Sequence, residues 1–199
     1  MQYLLIILCA YLLGSSNLAF FLSKRAKIDA RSQGSGNLGA SNAMVLMGWK
    51  AAIIVGLHDI GKTLVSVLLA QWIFKLPYAG EVAGVASVMG HIFPFYLGFK
   101  GGKGYACFVG MAFALDWKLS LILAVVLVVV TLATDYIVLG TLVTTVTYTI
   151  VTAFRDTTSA LIIALATVVI LIMHRKNFVR IIKGTEIGLR NAAKGKHRV

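Results

Sequence analysis

Residues 3–23 read YLLIILCAYLLGSSNLAFFLS, and residues 24–31 follow directly as KRAKIDAR. An uncharged apolar run of this length meets the roughly 20 residues that a helix needs to cross a bilayer. The cations behind it, Lys24, Arg25, Lys27 and Arg31, set its direction, because no Lys or Arg precedes the run. The positive-inside bias therefore places 24–42 in the cytoplasm and the N-terminus outside. The run has no basic n-region and is long for a signal peptide, so 3–23 is read as a retained span.

The rest of the chain has the same character. Of 199 residues, 59% are apolar and 13% charged, and the mean hydropathy is +0.88. Soluble domains carry about 25% charged residues, so the bilayer must be the solvent for most of these side chains. Further spans are predicted near 50–74, 81–97, 104–115, 119–135, 138–153 and 158–174. The expected fold is all-α: a polytopic membrane protein of about seven helices (five to seven), forming a single domain over 1–199. Residues 175–199 form a basic cytoplasmic tail with eight Lys or Arg and one acid, Glu186. An outside N-terminus and an inside C-terminus require an odd number of spans. The net charge of +12 sits at the ends of apolar runs, which assigns it to membrane orientation rather than to nucleic acid. Cys9 and Cys107 are far apart and show neither disulfide nor metal spacing.

In this topology the unusual polar sequence gathers on the cytoplasmic side. The first stretch is Gln33-Gly34-Ser35-Gly36-Asn37-Leu38-Gly39-Ala40-Ser41-Asn42. Its glycines, Gly34 and Gly36 among them, let backbone N–H groups approach an anion, and Ser35, Asn37, Ser41 and Asn42 add neutral donors. A helix is expected to begin after it and to aim its dipole the same way. The bland alternative is a helix-capping turn. The second stretch runs from Gly90-His91 through Pro94 to Lys100-Gly101-Gly102-Lys103-Gly104. Pro94 breaks a helix near the membrane edge. Two lysines framed by glycines then suit phosphate oxygens, although the Walker spacing is absent. A positive-inside loop needs fewer glycines and lysines than this.

The third stretch is His174-Arg175-Lys176-Asn177-Phe178-Val179-Arg180-Ile181-Ile182-Lys183-Gly184-Thr185-Glu186. If it is helical, Asn177, Arg180, Ile181 and Gly184 share a face; a basic amphipathic helix on anionic headgroups would look much the same. Within the second span, His58, Asp59 and Lys62 interrupt an apolar run. Asp59 and Lys62 are spaced to pair on one face, either lining a functional interior or serving as a structural ion pair. Near the inner end of a late span, Thr141 offers either a hydroxyl to a phosphate or a bond back to its own helix.

Together these stretches resemble the acyl-phosphate:glycerol-3-phosphate acyltransferases of the PlsY family, in order along almost the whole chain. GSGNLGASN, GHIFPFYLGFKGGKG and HRKNFVRIIKGTE are similar to its three motifs. The resemblance implies a seven-helix enzyme of the bacterial inner (plasma) membrane with a cytosolic-facing site and no metal or organic cofactor. The implied reaction moves a fatty acyl group from acyl phosphate to the 1-hydroxyl of sn-glycerol 3-phosphate. Its products are lysophosphatidic acid and phosphate, the first step of phospholipid synthesis, so the partners are acyl phosphate, glycerol 3-phosphate and membrane lipid. Carried over residue by residue, the motifs point to Ser35, Asn37 and Asn42; to His91, Lys100, Gly101, Gly102 and Lys103; and to His174, Asn177, Gly184 and Glu186. Ser35, His91, His174 and Asn177 are the catalytic candidates. Gly34, Gly36, Asn37, Asn42, Lys100, Gly101, Gly102, Lys103, Gly104, Thr141, Arg180 and Glu186 are the phosphate-binding candidates. One departure stands out: an Arg is expected three residues beyond Asn42, but Val45 occupies that place, and Lys50 or Lys62 is the candidate substitute cation.

Acyl phosphate is an activated mixed anhydride, so positioning and charge stabilisation are the main demands on the protein. For the proton of the acceptor hydroxyl there are three candidate bases: His91, His174 or an oxygen of the substrate's phosphate. No His is followed five residues later by Asp, and no GxSxG elbow occurs. The expectation is that no protein side chain is obligatory as base. The rival class is a transporter for a phosphorylated solute, which the intramembrane charges would suit. Small size, the lack of an evident repeat and one-sided polar motifs weigh against it.

Overall fold

A computed structural model of the chain describes residues 1–193. The described residues are helical, with no strand among them. Helices long and apolar enough to cross a membrane cover Gln2–Arg25, Trp49–Phe74, Trp117–Thr134 and Thr157–Ile182, and shorter apolar helices cover Tyr105–Leu115 and Ile137–Ala153. The chain divides into two compact units, Met1–Leu115 and the residues from Asp116 onward.

In the first unit, α1 (Gln2–Ser15) and α2 (Leu18–Arg25) replace the expected continuous helix over 3–23. The break lies in the Ser-Ser-Asn run. Asn17 adopts extended backbone and its side chain accepts the Phe20 N–H at 2.9 Å, capping α2. α3 (Ala40–Met47) and α4 (Trp49–Phe74) follow. Next comes α5, Ala79–Ile92, with 14 residues, which ends five residues short of the predicted 97. Pro94 has no N–H to continue the ladder, and a 3₁₀ turn (Phe95–Leu97) carries the chain on. α6 (Tyr105–Leu115) closes the unit.

α5 is the buried centre of this unit, packed against α1, α4 and α6. Its sequence, AGEVAGVASVMGHI, is mostly small residues, the composition that lets membrane helices approach closely. A Cβ at Gly90 would collide with the Tyr11 carbonyl of α1, and one at Gly14 with the Ser87 backbone. Thr63 of α4 and Ser87 of α5 share a hydroxyl–hydroxyl bond of 2.8 Å. Leu4, Leu8, Ile53, Leu57 and Trp72 point outward, as residues solvated by lipid do.

In the second unit, α7 (Trp117–Thr134), α8 (Ile137–Ala153) and α9 (Thr157–Ile182) pack in sequence order, and α10 (Leu189–Ala193) follows. Asp116 and Asp156 cap α7 and α9 through the N–H groups of Leu119 and of Thr158 and Ser159. Arg155 Nη1 reaches Asp116 Oδ2 at 2.5 Å and ties the two turns together. At the other end of α7, Asp135 accepts the N–H groups of Leu189 and Arg190 at 2.8 and 2.9 Å. α9 runs eight residues beyond the predicted end at 174 and takes in the first part of the basic tail. The apolar window closes at His174, but helical hydrogen bonding continues until Gly184, whose φ of 67° suits glycine. There the N–H of Thr185 returns to the Arg180 carbonyl at 2.8 Å and that of Gly184 to the Ile181 carbonyl at 3.0 Å, a Schellman stop. Gly184 is therefore the terminator of α9 and not part of its face. Residues 194–199 of the predicted tail lie outside the described residues.

Candidate active site

The loop between α2 and α3 carries the first motif, and one side chain shapes it. Asn42, buried in the first turn of α3, accepts the Ser35 N–H at 2.8 Å and donates to the carbonyls of Ala30 and Gln33 at 3.0 and 3.3 Å. Its amide thereby substitutes for the regular ladder that the loop lacks. Gly34 lies against the same Asn42 oxygen, which leaves no room for a Cβ. Gly34, Ser35 and Gly36 are exposed, and Asn37 is half-buried.

The second motif packs directly on the first. Ala30, Leu38 and Leu97 form one buried apolar cluster, and the Leu38 N–H faces the Gly101 carbonyl at 3.5 Å. Asn17 adds a third tie, donating to the Leu38 carbonyl at 3.1 Å. The glycine loop hangs from the end of α5. Gly101 N–H donates to the Ile92 carbonyl at 3.0 Å, and Gly102 N–H to the His91 carbonyl at 3.1 Å. These carbonyls belong to the last turn, where a helix leaves acceptors unused. The His91 ring fills the space next to Gly102, so a Cβ there would collide with Nε2. Lys100 is exposed and Lys103 half-buried at this loop, which leads through Gly104 into α6. Gly34, Ser35, Gly36, Asn37 and Asn42 thus lie beside His91 and the Lys100–Gly104 loop within one unit.

Below the loop sits a buried polar cluster. Lys62 Nζ lies 2.9 Å from Asp59 Oδ1, 2.9 Å from His91 Nδ1 and 2.6 Å from the Ser16 carbonyl. His58 reaches Asp59 at 3.4 Å and the Ser16 hydroxyl at 3.3 Å. Donor atoms of Asp59, His91 and Cys107 lie within 4.8 Å of one another, a spacing that could hold a metal ion. The Lys62 ammonium already supplies the cation here. Lys62 is committed inside the bundle, which leaves it poorly placed as the substitute for the Arg missing at Val45. Lys50 stacks on the Trp49 ring at 5.8 Å.

The remaining candidates belong to the second unit. Glu186 is their hub: its carboxylate accepts Asn177 Nδ2 at 2.5 Å and Arg180 Nε at 2.6 Å. His174 is buried, and its Nδ1 donates to the Ile170 carbonyl at 2.8 Å. Thr141 is buried in α8. The threonines that bond back within this helix are Thr144, Thr145, Thr149 and Thr152, and Thr141 provides an acceptor carbonyl to two of them. Sequence reading passed over Asn17, Ser16, Tyr96 and Arg190. The signal for the first two was present, since Ser-Ser-Asn inside an apolar run is a break-and-cap pattern. Tyr96, which donates to the Ser15 carbonyl at 3.0 Å, and Arg190 carried no such signal.

Residues 4–184 match the family model described as glycerol-3-phosphate acyltransferase. The chain belongs to the glycerol-3-phosphate acyltransferase family. Curated relatives of that name include one from Thermoanaerobacter pseudethanolicus, 38% identical over 180 residues that cover 89% of this chain and 90% of the relative. Another, from Coxiella burnetii, is 36% identical over 188 residues, covering 94% and 97%. Among solved structures, the glycerol 3-phosphate form of PlsY, an integral membrane glycerol 3-phosphate acyltransferase, is 29% identical to this chain, with a TM-score of 0.90 and 98% of each chain covered. Its lysophosphatidic acid form gives a TM-score of 0.85. The family places this chain in phospholipid biosynthesis, as an integral membrane enzyme.

Proposed function

We propose that this chain transfers a fatty acyl group from acyl phosphate to the 1-hydroxyl of sn-glycerol 3-phosphate at the cytoplasmic face of a bacterial inner membrane. The observation that carries this reading is the packing of the Ser35 loop on the Gly101–Gly104 loop through Leu38 and Leu97. The exposed Gly34–Gly36 segment and the more buried Gly101–Gly104 segment, with the cations Lys100 and Lys103, then serve one anionic region. Acyl transfer from a mixed anhydride to a phosphorylated alcohol brings two phosphates together, and this arrangement suits them. Support for the acceptor comes from the glycerol 3-phosphate and lysophosphatidic acid forms of the structural relative.

In this reading Lys100, Gly101, Gly102, Lys103 and Gly104 hold the acyl phosphate, and its chain lies among the apolar helices. Gly34, Ser35, Gly36 and Asn37 face the acceptor, with Asn42 fixing their loop. Within the second unit, Asn177, Arg180 and Glu186 form a polar group of their own at the end of α9, and Thr141 and His174 are buried in α8 and α9. The acceptor oxygen attacks the acyl carbon, the bond from that carbon to the phosphate oxygen breaks, and the hydroxyl proton leaves on a phosphate oxygen. His91 is poorly suited to be the base, because Lys62 occupies its Nδ1 lone pair. The topology has seven spans, with α1–α2 as the first and α5, α6 and α8 as short ones. The N-terminus is outside and the C-terminus inside. Asp116 meeting Arg155 at one end of the second unit, and Asp135 meeting Arg190 at the other, fit this alternation. The transport reading drew on the intramembrane charges, and those charges are engaged with one another.

The test mixes purified protein with palmitoyl phosphate and labelled glycerol 3-phosphate, without coenzyme A or metal. Labelled lysophosphatidate is expected. Product only from acyl-CoA or acyl-carrier protein would overturn the donor assignment, and solute uptake into proteoliposomes without product would favour transport.

A further inference from the structure

We infer that Lys62 is a positioning residue for the glycine loop: its ammonium, clamped by Asp59 and by the carbonyl at the α1–α2 break, holds the His91 ring in the orientation that floors the loop at Gly102. The inference rests on the reading of that loop as the acyl-phosphate site.

Asp59 and Lys62 both lie on α4, three residues apart. A pair within one helix fastens no two helices together, so a helix lock does not account for placing two charges in a membrane interior, where each is costly. The groups that complete the cluster come from elsewhere. A lysine ammonium has three donors and no acceptor. Here the three donors meet three acceptors: Asp59 Oδ1 on α4, the Ser16 carbonyl between α1 and α2, and His91 Nδ1 at the end of α5. The Ser16 carbonyl is available because the Asn17 cap interrupts the helix there, and an orphaned carbonyl in a bilayer needs an internal donor.

The consequence falls on His91. Nδ1 of His91 lies 2.9 Å from the ammonium and 3.4 Å from Asp59 Oδ1; the ammonium can only donate, so the shorter contact makes Nδ1 the acceptor and assigns the ring proton to Nε2. Nε2 is the atom that a Cβ on Gly102 would strike, so the ring forms the floor of the loop. The backbone of the same residue accepts the Gly102 N–H, and its neighbour Ile92 accepts that of Gly101. A rotation of the imidazole would therefore push directly on the loop. The same break also binds the first motif, since Asn17 donates to the Leu38 carbonyl. Lys62 thus ties the scaffold of one motif to that of the other.

The test uses the full-length protein in detergent with Lys62→Met, which removes the donors but keeps an unbranched side chain, and Asp59→Asn, which frees the ammonium from its anchor. Steady-state kinetics with palmitoyl phosphate and glycerol 3-phosphate are read together with nitrogen-15 spectra of the four histidines, His91 being assigned by loss of its signals in His91→Asn. The expected result is a rise of about tenfold or more in KM for palmitoyl phosphate, with KM for glycerol 3-phosphate little changed. The His91 spectrum should also depart from the Nε2–H form. Lys62→Met protein with an unchanged His91 spectrum and unchanged KM values overturns the proposal, and so does a variant that only loses thermal stability. If Lys62→Met does not fold, the same criteria apply to Asp59→Asn. If the wild type makes no product from palmitoyl phosphate, the function reading fails, and the spectra alone decide whether Lys62 sets the His91 tautomer.

Discussion

Asn42 Oδ1 accepts the backbone N–H of Ser35 at 2.8 Å, across seven residues of chain, so one buried amide sets the curvature of the whole first-motif loop. Its nitrogen is needed as well, for Ala30 and Gln33. Asn42→Asp keeps the acceptor and loses both donations, whereas Asn42→Ala loses everything. Activity with palmitoyl phosphate is expected to be highest in the wild type, lower in Asn42→Asp and lowest in Asn42→Ala, where it falls by about 100-fold as the loop loses its shape. Full activity in Asn42→Ala would show that the loop holds itself.

Gly102→Ala should be severe, because the new methyl group has only the His91 ring to displace. Loss of about 100-fold in kcat/KM is expected from a displacement of this kind, with the helical circular dichroism unchanged. Gly61→Ala is the control: Gly61 lies within α4 with nothing in contact range of a Cβ, and the change should leave activity intact while adding about 0.5–1 kcal/mol of helix stability.

The framework of this site was readable because its signals are local. Pro94 announces the end of α5, the apolar runs announce the spans, and the spacing of Asp59 and Lys62 announces their pair. The remaining features depend on contacts far apart in sequence. Asn17 is legible as a cap for Phe20, but its second role, donating to the Leu38 carbonyl 21 residues on, is not. His91 reads as a candidate catalyst until Lys62, 29 positions earlier, takes its Nδ1. The extension of α9 to Ile182 escapes a hydropathy window because its last turns are basic, and basic side chains do not interrupt a helix.

Glu186→Gln tests the polar group at the end of α9. The carboxylate accepts from Asn177 with one oxygen and from Arg180 with the other. A glutamine must turn its NH₂ towards one of those donors, which leaves a donor facing a donor. The expected cost is about 1–3 kcal/mol, the usual penalty for an unmet bond to a charged group, seen as a lower midpoint of thermal unfolding in detergent. An unchanged midpoint would mean that solvent meets these groups equally well.

His174→Ala separates the two sources of a base. A general base contributes typically 10²–10⁴-fold. Because a substrate phosphate oxygen is proposed to take the proton, the rate at saturating substrates should fall by less than about 100-fold. A larger fall with unchanged KM values would assign the proton to His174.

Asp116 gives the second unit an acid-sensitive joint outside the spans. Its carboxyl is held below the usual carboxylate value, first by the Leu119 N–H that it caps and then by Arg155. A depressed pKa means that the folded state favours the charged form, so the stabilisation is complete above the ordinary value of 3.8 and is lost as pH falls below it. Asn is an equally good cap residue, so Asp116→Asn removes the charge while keeping the cap. The wild type should unfold at a higher temperature than Asp116→Asn at pH 7, and the gap should narrow as pH is lowered through the acid range. A gap that is constant with pH would show that the Arg155 contact is not electrostatic in origin.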